Sequence, residues 1–293
     1  MAREAKHGCF VYRERLTTFS PESGQPPHTY KYSYVTPEYV LGSYILHNLK
    51  YGGLHRYSER EFNGITFGKA RAMLRLGPAV SFHGYHCMQN GPVLLARWYG
   101  AELARQSDSP YAHPNPDLRP YISIIRRESG GAEIEPASLQ QGWLFGRAGD
   151  AYYAIRPAEG SCKFREPDGD VQGELQRFGL PSPKIPFIVH AGGATEDGSF
   201  GDFKEKILDN TLTYNNNVLT YEDDKWGTMQ FAPYADEPAG QWRRIDGEPV
   251  ELPDKLFDSP YLNSDYGSGV IMAQFNDRKL ILDFNKNTEK TQP

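Results

Sequence analysis

Residues 81–98 read SFHGYHCMQNGPVLLARW and bring two of the chain's eight histidines and one of its three cysteines into a short span. His83, Tyr85 and His86 are side chains that move protons, and Arg97 follows on the next apolar run. Such groups could take a proton from a carbon beside a carboxylate, protonate a leaving oxygen and neutralise the carboxylate. On a flat strand His83 and Tyr85 project to one face and His86 to the other, so the three act together only if the chain bends. With that bend, His83 and His86 could also hold a divalent metal with a carboxylate from elsewhere, but their spacing alone does not favour it. The plainer reading makes His83 and Tyr85 surface residues of a sandwich, MQNG a turn and GPVLLARW a core strand. Cys87 has no partner at a zinc-site or disulfide-framework spacing.

A second cluster surrounds LKYGG. His55, Arg56, Tyr57 and Arg60, with His47 and Tyr51 close by, make a basic and aromatic patch. Arginine forks grip carboxylates bidentately and aromatic faces stack on sugar rings, so the patch suits an anionic saccharide; otherwise it is a solvated loop. Trp98, Trp143, Trp226 and Trp242 could line a carbohydrate platform, although core packing is the commoner use of Trp in a sandwich. His7, His28, His113 and His190 read as turn or core residues. Glu222, Asp223 and Asp224 are adjacent, so on a strand they diverge instead of converging on a substrate. No nucleophile elbow, dinucleotide fingerprint, P-loop or HExxH is present, which weighs against those enzyme classes.

The elements that must hold these residues are strands. Aromatic residues make up 13% of the 293-residue chain, with 29 Gly and 22 Pro, a composition suited to pleated surfaces punctuated by turns. Strand-like runs recur from GCFVYR (8–13) to KLILDFN (279–285), and AGD (148–150) marks a hairpin between GWLFGR and AYYAIR. GSFGDFKEKILDN (198–210) spaces its apolar residues as one amphipathic helix; residues 57–76, charged first and apolar at the end, fit a loop or a short helix leading into a strand. The expectation is an all-β protein: a large antiparallel β-sandwich of two stacked sheets in a single domain over 1–293, with loop-rich insertions near 102–119 and 157–185. The net charge of −5 gives no general attraction to phosphate backbones, so nucleic acid is not an expected partner. No stretch approaches a membrane span, and the start shows no apolar core of signal-peptide length.

Four blocks carry a resemblance: YVTPEYVLGS (34–43), GWLFGRAGDAYYAIRP (142–157), GSFGDFKEKILDN (198–210) and LFDSPYLNSDYGSGVIMAQFNDRKLILDF (256–284). In order and character they resemble the C-terminal β-sandwich region of heparinase II/III-like proteins, a polysaccharide-lyase-related group. The chain shows no all-helical region of the size of that family's N-terminal α/α toroid. The resemblance implies a supersandwich-like fold and an acidic, uronate-containing polysaccharide as ligand or substrate, cleaved by β-elimination if the chain is catalytic. On that basis His83 or Tyr85 would be base and acid, His86 would assist, and Arg97 or Arg60 would neutralise the carboxylate. His55, Arg56, Tyr57, Arg60 and Trp98 would bind sugar, with no cofactor required. The alternative is a non-catalytic carbohydrate-binding or structural sandwich that completes the cleft of a toroid domain or subunit. A third reading is a standalone enzyme of unrelated chemistry on the same sandwich.

Overall fold

The computed structural model describes residues 9–16, 29–46, 64–77, 85–98, 120–126, 128–167, 172–233, 243–250 and 255–292. Among these the chain is all-β, a sandwich of antiparallel sheets with one short amphipathic helix. Three sheets are present, of 13, six and five strands. The six-stranded sheet is the middle layer, in spatial order Tyr85–Asn90, Val93–Trp98, Phe187–Gly193, Ala151–Pro157, Trp143–Ala148, Ser138–Gln140.

Alternation along the middle strands assigns its two faces. Cys87, Leu94, Ala96, Tyr153, Phe187 and Val189 pack with Tyr34, Leu41, Phe67, Leu74 and Ile122 of the largest sheet. Met88, Val93, Leu95, Trp143, Phe145 and Ile188 turn the other way, onto Phe203, Ile207, Leu219, Tyr221 and Phe231. Those partners come from the helix Phe200–Asp209 and the five-stranded sheet. Where two stacked sheets were expected, a third layer therefore closes the second face. The physical sign of it is a strand buried on both sides, which reads as a continuous apolar run. VLLARW and FIVHAGG are buried at every position. Each large apolar side chain so enclosed contributes roughly 1.5–3 kcal/mol.

Local chemistry sets the punctuation. The expected hairpin at AGD forms, pairing Ala148 with Ala151. Asn216 and Asn217 take φ of 51° and 63°, the conformation of the tight turn that joins Thr211–Asn215 to Val218–Asp223. The helix starts at a capping box in which the Ser199 side chain and backbone exchange hydrogen bonds with Asp202. A second helical turn, Ala194–Asp197, precedes it. Within 57–76 the expected strand forms at Ala72–Gly77, and the described residues before it add a second strand, Gly64–Phe67, paired with it as a hairpin; 57–63 lie outside the described residues. The 157–185 stretch contributes the strands Lys163–Arg165 and Glu174–Gly179 at one edge of the largest sheet, whereas 102–119 lies outside the described residues.

MQNG is where the expected local structure shifts. Met88, Gln89 and Asn90 continue the strand, and the turn is Gly91–Pro92. This turn ties all three layers. Gln89 Nε2 donates to the Leu41 and Gly91 carbonyls at 3.0 Å each, and the Gly91 amide donates to Tyr32 Oη at 3.0 Å. Asn90 Nδ2 donates to the Trp226 carbonyl at 2.8 Å, and the Trp226 ring lies against Gly91. Gly91 has φ of +54°, and a Cβ there would sit 2.4 Å from the indole. Gly91→Ala is therefore expected to destabilise the protein by about 2–4 kcal/mol, from overpacking plus a left-handed backbone. Gly68→Ala, with nothing within 4 Å of its new methyl, should stay near neutral; urea-unfolding midpoints of the two variants check the contrast.

Candidate functional site

Of the residues singled out by type and spacing, His83, His55, Arg56, Tyr57 and Arg60 lie outside the described residues. Tyr85 opens its strand as the cross-strand partner of Trp98, and its side chain is likewise outside the description. His86 and Arg97 are a cross-strand pair. Alternation sends them to the face that meets the third layer, while Trp98 faces the largest sheet. His86 and Arg97 are each 1% exposed and Trp98 is 2% exposed. Arg97 and Trp98 thus take interior positions in place of the saccharide-facing surface expected of them. The reason is again the third layer, which turns the outer face of this hairpin into core.

Arg243, from the strand Arg243–Ile245, enters the same interface and donates from Nε to the Cys87 carbonyl at 2.7 Å. Burial, then the Arg243 and Arg97 guanidinium charges, push the His86 imidazole well below its ordinary range. His86 is consequently a neutral ring at physiological pH. Among the described residues no group of three His, Cys, Asp or Glu side chains is placed to hold a metal ion. Cys9, Cys87 and Cys162 are buried thiols, and burial raises the Cys87 and Cys162 pKa values to about 12.

A more complete polar constellation lies at residues read from the sequence as core or strand end. His190 sits on the middle strand Phe187–Gly193, fully buried, on the same face as His86. Its Nδ1 is 2.9 Å from Tyr221 Oη. Asn210, at the C-cap of the helix, donates from Nδ2 to that same Oη at 2.7 Å and to Asp223 Oδ2 at 3.0 Å. Tyr221 Oη and His190 Nδ1 share one hydrogen bond whose direction follows the imidazole tautomer, and the other ring nitrogen is Nε2. That Nε2 has no hydrogen-bond partner among the described residues. Asp223 Oδ1 accepts from the Lys225 and Trp226 amides at 2.9 Å each, ending the strand in a turn as its sequence suggested.

Charged groups ring this array. Lys206 pairs with Asp197 at 2.8 Å, and Lys225 pairs with Glu196 at 2.9 Å. Glu196 also accepts from Tyr34 Oη at 2.8 Å, and Thr195 donates to Glu38, linking this end of the array to the largest sheet. Burial, then Lys206, pushes the His190 imidazole down to about 4. Burial alone would raise Asp223, but His190, Lys206 and the two amides outweigh it and hold the carboxyl below its ordinary value. Burial pushes the Tyr221 hydroxyl well above its ordinary value. A neutral imidazole and a neutral phenol, both closed to solvent, share one hydrogen bond. The sequence signal for the array was His190 in an otherwise wholly apolar strand, a position where a polar ring needs a partner.

Compared with known protein families, curated proteins and solved structures, the chain matches none of them.

Two outcomes test the array. The unfolded imidazole binds a proton near 6.5 and the folded one only near 4, so the unfolded state holds more protons between those values. Stability should therefore fall as pH drops through that window, with His190 contributing a slope of up to ~1.4 kcal/mol per pH unit. His190→Phe should remove that share of the slope in a pH series of urea titrations, leaving the His86 share. Tyr221→Phe should cost about 1–2 kcal/mol at neutral pH, since it strands the His190 and Asn210 groups together.

Proposed function

We propose that the protein is a polysaccharide-lyase-like β-sandwich that binds an acidic, uronate-containing polysaccharide and does not cleave it by itself. Support for the polysaccharide comes from the four blocks similar to heparinase II/III-like C-terminal regions. The segments 142–157 and 198–210 supply the middle-layer hairpin and the helix that covers it. The observation that carries the binding half of the reading is burial. His86, Arg97, His190 and Tyr221 have the residue types of elimination chemistry, and each is no more than 1% exposed. A general base must reach within hydrogen-bond distance of the proton it takes, and a ring inside the core reaches no sugar. A sandwich of this kind fits a role beside a catalytic partner of the toroid type.

Elimination through His83 and Tyr85 remains the competing reading, and one experiment separates the two. Purified protein is mixed with alginate, heparin, hyaluronan or pectate and followed by affinity electrophoresis and by absorbance in the unsaturated-uronate band. Retardation by at least one polymer with flat absorbance is the expected result. Steadily rising absorbance would show cleavage and overturn the binding-only reading. Absence of retardation by all four would remove acidic polysaccharide as the ligand.

A further inference from the structure

The final strands, Lys255–Asp258, Leu262–Asp265, Val270–Phe275, Arg278–Asp283 and Thr288–Gln292, continue the largest sheet. They contribute nothing to either hydrophobic core, and of their described side chains only Ser264 is buried. Register pairs Phe275 with Arg278, Ala273 with Leu280, and Leu280 with Thr291. Alternation then puts Ala273, Phe275, Arg278 and Leu280 on one face. Tyr261 flanks them, its ring 6.4 Å from that of Phe275 and tilted by 39°. Phe10 holds Tyr261 from behind, edge-on at 5.0 Å.

The result is an open groove of ≈ 450 Å³ walled by two aromatic rings, floored by Ala273 and Leu280, and bearing Arg278. Phe275 is 68% exposed and Tyr261 44%, unusual exposure for rings that pack nothing further. Neither Arg278 nor Lys279 makes an ion pair among the described residues, whereas the neighbouring Lys255 and Lys286 are bound to Asp265 and Asp283. A mostly apolar concavity of a few hundred Å³ with a small number of polar groups is the general form of a ligand site.

We propose that this groove binds an anionic oligosaccharide: the apolar face of a sugar ring stacks on Phe275 beside Tyr261, and Arg278 forks a ring carboxylate. The inference rests on the acidic-polysaccharide reading and gives it a location that burial denies to Arg97 and Trp98. Charge complementarity favours this occupant. A protein surface laid flat on the groove would have to desolvate the Arg278 guanidinium, while a carboxylate at the rim engages it in partial contact with water.

The test titrates galacturonate and hyaluronan oligosaccharides of four to six sugars, with a neutral oligosaccharide of equal length, into the full chain by calorimetry. Phe275→Ala and Arg278→Gln should each weaken binding about tenfold or more, consistent with loss of one stacking face or one charge-assisted contact. Phe275→Trp should retain it, and Lys163→Gln, at the opposite edge of the same sheet, should leave it unchanged. The neutral sugar should bind at least tenfold more weakly. Wild-type affinity in both groove variants would overturn this site, and polymer retardation that persists in them would leave the broader reading standing. No oligosaccharide binding by the wild type overturns the site whatever the polymers do. A concentration-dependent dimer dissolved by Phe275→Ala, without sugar binding, would assign the groove to a second copy of the chain and also overturn it.

Discussion

The central strands of the middle sheet, Val93–Trp98 and Phe187–Gly193, have no face left for water, and most of the structure follows from that constraint. A strand covered on both sides must be apolar at successive positions, or must bring each polar side chain to a partner in the layer above or below. Trp143, Phe145 and Tyr153 meet the first condition, pointing to alternate sides of a two-sided core. His190, Gln89 and Arg97 are bound by the second. Gln89 answers it with two backbone carbonyls, one from the neighbouring sheet, and His190 with a phenol held in place by an asparagine.

The same constraint explains why side chains capable of chemistry are not where chemistry could happen. An imidazole, a phenol, an amide and a carboxylate converge at 190, 221, 210 and 223, a set that at the mouth of a cleft would read as acid–base machinery. Enclosed between two layers, its energetics are those of an interior hydrogen-bond network: burial favours the neutral imidazole and phenol, while hydrogen-bond donors and nearby cations favour the charged Asp223 carboxylate. Exposed aromatic rings, Tyr261 and Phe275, instead lie at the terminal strands that extend past the double-covered region, with Arg278 beside Phe275 and in no ion pair among the described residues.

Much of the architecture was legible in residue order. Period-two runs, Asn- and Gly-marked turns and the serine-capped helix come from interactions within a few residues, and each formed near its expected place. The errors share one cause. MQNG reads as a turn because Asn-Gly marks turns, yet Gln89 and Asn90 remain in the strand through bonds to Leu41, Gly91 and Trp226, two of those partners distant in sequence. Residues 57–76 read as a loop or short helix leading into a strand; the strand forms at Ala72–Gly77, but Gly64–Phe67 before it is a strand as well, held by pairing with Tyr39–Leu46. Arg97 reads as a cation available to a ligand because local sequence does not report what lies across a strand.

For SFHGYHCMQNGPVLLARW, sequence alone determined that Val93–Trp98 is a core strand, since a short apolar run bounded by turn residues reads as one. Only the tertiary structure decided that both faces of that strand are covered. Burial on the second face depends on a helix and a sheet more than a hundred residues further along, which no local pattern encodes. That long-range packing turned His86 and Arg97 from candidate site residues into core, joined His190 to Tyr221, and left the exposed aromatic and cationic groups to the far end of the largest sheet.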